Sequence, residues 1–190
     1  MIVIGAADGD RRRRRQRWRS PRHLIQWLLL LPTLALADWQ HAAVMVGESV
    51  ITGDRSAQQL QGVGFWSHGD QDGWQVRGEL LVALLQKPSQ ESALLLGVGP
   101  ELMWSSADDR YRWSVGTAVT LVSRHRFQAI DYGGPLQFTS HLGLSRRLGD
   151  STWRLQGRLQ HTSNGGIYDP NPGLDTLIIG IGRELTTATR

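Results

Sequence analysis

Between His161 and Asp175 the chain places an imidazole, a hydroxyl and a carboxylate within fifteen residues: His161-Thr-Ser163-Asn164-Gly-Gly-Ile-Tyr-Asp-Pro-Asn171-Pro-Gly173-Leu-Asp175. These are the three parts of a hydrolytic triad. A serine hydroxyl is a poor nucleophile until a neutral imidazole within hydrogen-bond reach removes its proton. The imidazole in turn needs a carboxylate that fixes its tautomer and stabilises the imidazolium. The oxyanion that forms on an attacked ester needs N–H donors, and Asn171, Asn164 or the backbone amides of the Gly165-Gly166 turn are candidates. Such chemistry requires no metal and no cofactor. Each piece also has a plainer reading, since Ser-Asn-Gly-Gly and Asn-Pro-Gly are ordinary turn sequences and Asp175 could simply open a strand.

What decides between these readings is the scaffold that positions the groups. From Gln40 onward polarity alternates with a period of two, broken by Gly, Asp, Asn, Ser and Pro clusters, and no helical stripe is evident. The pattern predicts eight strands, over 40–52, 59–68, 73–87, 92–105, 110–123, 136–148, 151–163 and 174–185. In the seventh, Trp153, Leu155, Leu159, His161 and Ser163 share one face, and Arg154, Gln156, Arg158, Gln160 and Thr162 the other. His161 and Ser163 are therefore neighbours on the apolar face. Asp175 falls on the same face as Leu177, Ile179 and Ile181 of the eighth strand, which would pair with the seventh.

Alternation alone also fits a soluble sandwich. The polar faces, however, are rich in Arg, Gln, Glu, Thr and Gly, as in a small lumen filled by a polar network. Trp66, Trp74, Trp104, Tyr111, Trp113 and Trp153 lie near strand ends, where they could form interfacial girdles. The expected architecture is an all-β, eight-stranded antiparallel transmembrane β-barrel with its apolar face towards lipid.

The formal charge of +4 suggests a nucleic-acid binder until its location is considered. Eight of the 21 basic residues lie between Arg11 and Arg22, giving residues 1–37 a net +6 and leaving −2 on the remainder. That cluster precedes a short apolar run from Leu24 to Leu34 and then Ala35-Leu36-Ala37. A basic region, a short apolar core and a small-x-small site predict a cleaved signal peptide over 1–37 and an exported domain over 38–190. Nucleic acid is not an expected partner. With no cysteine, neither a disulfide nor thiolate chemistry is available to the exported domain.

The residues from His161 to Asp175 resemble the outer-membrane lipid A 3-O-deacylases. The resemblance is carried by His161-x-Ser163-Asn164-Gly-Gly-Ile, by Asn171-Pro-Gly173 and by the carboxylate at Asp175. It implies an eight-stranded barrel in the outer membrane that hydrolyses the ester-linked 3-hydroxyacyl chain at position 3 of lipid A. It also implies His161 as base, Ser163 as nucleophile, Asp175 as acidic member and Asn171, helped by Asn164, at the oxyanion hole. The chain departs from the family's best-known pattern in having Asp rather than the longer Glu at the acidic position. The competing expectations are a non-catalytic outer-membrane barrel and a periplasmic lipid carrier; a homodimer is left open as the assembly. A carrier would turn Trp153, Leu155 and Leu159 inward. A soluble esterase has less support, because no Gly-x-Ser-x-Gly elbow occurs.

Overall fold

The structure, a computed structural model, describes residues 38–50, 57–71, 73–128 and 130–185, with only the backbone at 67–71. The predicted signal peptide over 1–37 and the turn at 52–55 lie outside the described residues. Eight strands follow in chain order: β1 Trp39–Ser49, β2 Gln58–Gln71, β3 Trp74–Gln86, β4 Ser92–Ser105, β5 Tyr111–Val122, β6 Leu136–Arg147, β7 Trp153–Ser163 and β8 Leu174–Glu184. Each pairs antiparallel with the next, and β1 pairs with β8, so the sheet closes into a barrel with no free edge. Two predicted ends shift most, since β1 stops at Ser49 rather than 52 and β2 runs on to Gln71 rather than 68. The Gly- and Asp-containing stretch after Ser67 reads as a turn, yet the ladder continues beyond a bulge at Ser67/Gly69, with Asp70 opposite Gln75 and Gln71 opposite Trp74.

The two longest connections lie at the same end of the barrel. At one end lie the links after β1, β3, β5 and β7, among them 123–135 and 164–173; the links at the other end, including 106–110 and 148–152, are short turns.

The wall is inside out relative to a soluble protein. Along β7, Arg154, Gln156, Arg158, Gln160 and Thr162 are buried, while Trp153, Leu155 and Leu159 are exposed at 41%, 53% and 45%. A carrier with an apolar interior would reverse that pattern. Leucine, isoleucine and valine cover the outside of the other strands as well, for example Val44, Leu94, Leu142 and Ile179. Such a surface is stable against lipid rather than water.

The interior has two characters. Leu81, Ala83 and Leu85 of β3 and Ala93 and Leu95 of β4 pack with Phe127, Tyr132, Leu174 and Ile178 beneath the long loops. The middle and the short-turn half hold ions: Arg77 donates to Glu101 at 2.7 Å, and Arg158 donates to Glu79 at 2.9 Å and to Glu101 at 3.4 Å. Nearer the turns Arg112 is paired with both Glu184 and Asp109.

The tryptophans do not form two girdles. Trp39, Trp66, Trp74, Trp104, Trp113 and Trp153 all sit on the part of the wall near the short turns and the strand ends beside them. Trp66 lies over Gly78 and Trp39 over Gly64, where a Cβ would displace the rings. Trp39 and Trp66 meet edge to face at 5.4 Å.

Candidate active site

β7 and β8 bring His161 and Asp175 directly opposite each other on the outer wall, at the end with the long loops. His161 Nδ1–H donates to Asp175 Oδ1 at 2.7 Å. The shorter acid therefore reaches the imidazole without help, because the residues are register partners. With Nδ1 engaged as donor, Nε2 is the ring's acceptor. The His161 side chain is 49% exposed and that of Asp175 19%, so the dyad opens to the barrel exterior.

Ser163 lies two residues beyond His161 on the same face and is half-buried. Its register partner is Phe138 of β6. Among the described residues no hydrogen bond holds its hydroxyl, and none joins it to the His161 ring. The structure thus brings His161 and Asp175 into contact and sets Ser163 beside them.

Gly173 forms a backstop. It is buried at φ +68°, and a Cβ there would fall 2.9 Å from His161 Cε1 and 3.7 Å from Nε2. The missing side chain leaves room for the imidazole. The positive φ independently favours glycine.

The link 164–173 is organised by Asn164, which is fully buried. Its Nδ2 donates to Tyr132 O at 3.0 Å and to Pro170 O at 2.9 Å. Its Oδ1 accepts from Gly166 N at 2.9 Å and from Tyr168 N at 3.4 Å. Both amide hydrogens are engaged, so this side chain has no N–H left for a substrate. The Asn164 backbone N–H donates to Asn171 Oδ1 at 3.0 Å. That bond fixes the exposed Asn171 amide and leaves its Nδ2 hydrogens without a partner among the described residues. Of the two expected donors, Asn171 is the available one, and Asn164 holds it in place.

The neighbouring link, 123–135, supports this loop and is the part that sequence reasoning missed. Gly133 and Gly134 pack against Pro170 and Tyr168 so closely that a Cβ at either would collide. Tyr132 is buried and accepts hydrogen bonds on its carbonyl from Asn164 and Gln137. Asp131 accepts from Gly133 N at 2.8 Å, Arg126 Nε at 2.8 Å and His125 Nδ1 at 3.1 Å. These donors, the Gly133 amide foremost, hold its carboxyl well below the usual range, at about 2. In the sequence, Gly133-Gly-Pro135 reads only as a turn; the available signal was a large aromatic beside small turn residues.

One group among the described residues gathers three ligand atoms suited to a cation: Glu79, Glu101 and His141 in the lumen. His141 Nε2 lies 3.7 Å from a carboxylate oxygen of each. Arg77 and Arg158 already neutralise both carboxylates, so the cluster is an internal ion network rather than a cation site. It lies inside the wall, away from the exterior dyad.

The profile of the family described as "Lipid A 3-O-deacylase (PagL)" matches residues 53–184. The lipid A deacylase PagL of Bordetella bronchiseptica is 36% identical over 85 residues, covering 40% of this chain and 47% of that protein. The chain thus matches about half the length of this curated relative. The crystal structure of the outer membrane enzyme PagL superposes with a TM-score of 0.65 at 17% identity, covering 76% of this chain and 99% of the other. A de novo designed transmembrane β-barrel superposes at 0.55 and 13% identity, covering 78% and 97%. The two structural likenesses speak to the fold alone. With a family profile that spans most of the barrel and carries the segment from His161 to Asp175, the chain belongs to the lipid A 3-O-deacylase family.

Proposed function

We propose that this chain is an outer-membrane esterase that removes the ester-linked 3-hydroxyacyl chain from position 3 of lipid A. The observation that carries the reading is the 2.7 Å hydrogen bond from His161 to Asp175, formed on the lipid-facing wall with Ser163 beside it. The substrate is a membrane lipid, and the groups that would act on it face the membrane.

Ser163 Oγ attacks the ester carbonyl while His161 Nε2 takes its proton. Asp175, accepting from Nδ1, stabilises the imidazolium. Negative charge collects on the former carbonyl oxygen, and Asn171 Nδ2–H is the donor for it. The tetrahedral intermediate collapses as His161 returns the proton to the departing sugar oxygen, leaving an acyl-serine. Water, deprotonated by the same imidazole, then attacks the acyl-serine and releases the 3-hydroxy acid. Leu159 and Leu177, next to the dyad on β7 and β8, offer the acyl chain an apolar surface. All three groups come from one chain, so the chemistry needs no second copy.

The test is expression of the full chain in a bacterium with an outer membrane, followed by mass spectrometry of its lipid A. The expected result is loss of one 3-hydroxyacyl group, restored to the unmodified mass by Ser163→Ala and by His161→Ala. Unmodified lipid A in cells that hold the folded wild-type barrel would overturn the proposal.

A further inference from the structure

At the end of the barrel away from the dyad, two arginines point outward from the wall. Arg146 on β6 lies over Tyr111, with 6.0 Å from guanidinium to ring centroid, and Arg183 on β8 lies over Trp153 at 5.5 Å. Both are exposed. Neither has a carboxylate partner among the described residues, unlike Arg112, Arg147 and Arg154, which turn towards Asp109 and Glu184. A cation on a lipid-facing wall is tolerable at the headgroup level, where phosphates neutralise it. A stacked guanidinium keeps its N–H edge free, and that edge matches a phosphate.

The two arginines form a pair around β7. Arg146 is the register partner of Leu155, and Arg183 is the partner of Trp153. From inter-strand spacing and rise per residue their Cα atoms are roughly 12 Å apart, and a swing of Arg146 from Tyr111 on β5 towards β7 brings the two long side chains within reach of a shared headgroup. An apolar trough runs up the wall from Tyr111 and Arg146, between Leu144, Leu155 and Ile179, and its far end meets Leu159 and Leu177 below the dyad. Its floor is Gly157, where a Cβ would meet nothing within 4 Å.

We propose that this surface binds one anionic phospholipid, its phosphate held between Arg146 and Arg183 and one acyl chain lying in the Gly157 trough. The charge selects an anion, and the adjoining trough selects a lipid over a free phosphate. Assigning the lipid to the periplasmic leaflet rests on the outer-membrane reading, with the short turns inside; the binding itself does not.

Native mass spectrometry of the exported protein tests the idea, using micelles doped with equal amounts of phosphatidylglycerol and phosphatidylcholine. The wild type should retain one phosphatidylglycerol. The R146Q/R183Q variant should lose about tenfold or more of that adduct, and Gly157→Leu should reduce it with both cations present. Equal retention of the two lipids, an adduct that survives R146Q/R183Q, or full retention in Gly157→Leu would overturn the proposal, as would a protein partner on this surface that excludes the lipid. The Gly157→Leu arm keeps the test decisive if the double variant does not fold. Lipid A measured from the same cells separates this outcome from the deacylase reading: R146Q/R183Q should lose the phospholipid and keep deacylation.

Discussion

Gly173 and Gly166 provide a matched pair for asking what holds the imidazole. Both have positive φ, +68° and +80°, but a Cβ at 173 would strike His161, whereas one at 166 would meet nothing within 4 Å. Alanine at either position strains the backbone by a similar amount, about 1 kcal/mol. Gly173→Ala alone should also push His161 off Asp175. The expected outcome is a kcat reduced by about a hundredfold or more in Gly173→Ala with KM little changed, and near-wild-type kcat in Gly166→Ala, measured on an ester substrate in mixed micelles. Similar kcat values for the two variants would mean that the backstop is unimportant. At this scale the sequence was informative where parity applied. The parity of His161, Ser163 and Asp175 put all three on the outer face, and register then settled the reach of the shorter acid. The different tasks of Asn164 and Asn171 were not legible, because the two share a residue type and a turn context. Only the hydrogen bonds to Tyr132 and Pro170, made from another loop and from across the turn, tell them apart.

Among the elements, the link 123–135 decides how firmly the link 164–173 is seated. It closes over Lys87, whose ammonium donates to Tyr132 Oη at 2.8 Å and faces the Phe127 ring at 5.4 Å. Burial lowers the Lys87 pKa to about 8 and raises that of Tyr132 to about 12. In the unfolded chain lysine titrates near its ordinary 10.5, so between about 8 and 10.5 the unfolded state binds more protons and stability rises with pH. For Tyr132 the sign is opposite: its contribution is present below its ordinary 10 and is lost as pH rises towards 12. The thermal midpoint in detergent should therefore climb from pH 8 to about 10 and fall above it. Lys87→Met should flatten the climb and keep the fall. A wild-type midpoint that is level from pH 8 to 10 would contradict the burial argument. Strands were readable in the sequence because period-two alternation is local. This plug was not, since it depends on loops meeting across the barrel mouth.

The barrel wraps an apolar outer wall around an interior that is apolar beneath the long loops and ionic through its middle and short-turn half, and its stability depends on how completely those interior charges are paired. Arg158 bridges Glu79 and Glu101. Arg158→Leu strands buried carboxylate charge and should destabilise the barrel by about 3–5 kcal/mol in urea unfolding from lipid vesicles. The double variant Glu79→Leu with Arg158→Leu removes a cation and an anion together and should lose less than the single change. A double variant worse than the single one would show that the pair itself, rather than charge balance, holds the lumen. The lopsided placement of the tryptophans has an optical consequence. All six indoles of residues 38–190 belong to the short-turn end, so the intrinsic fluorescence of this barrel senses one leaflet. A brominated lipid confined to that leaflet would darken the protein, and the same lipid on the side of the dyad would leave the emission almost unchanged.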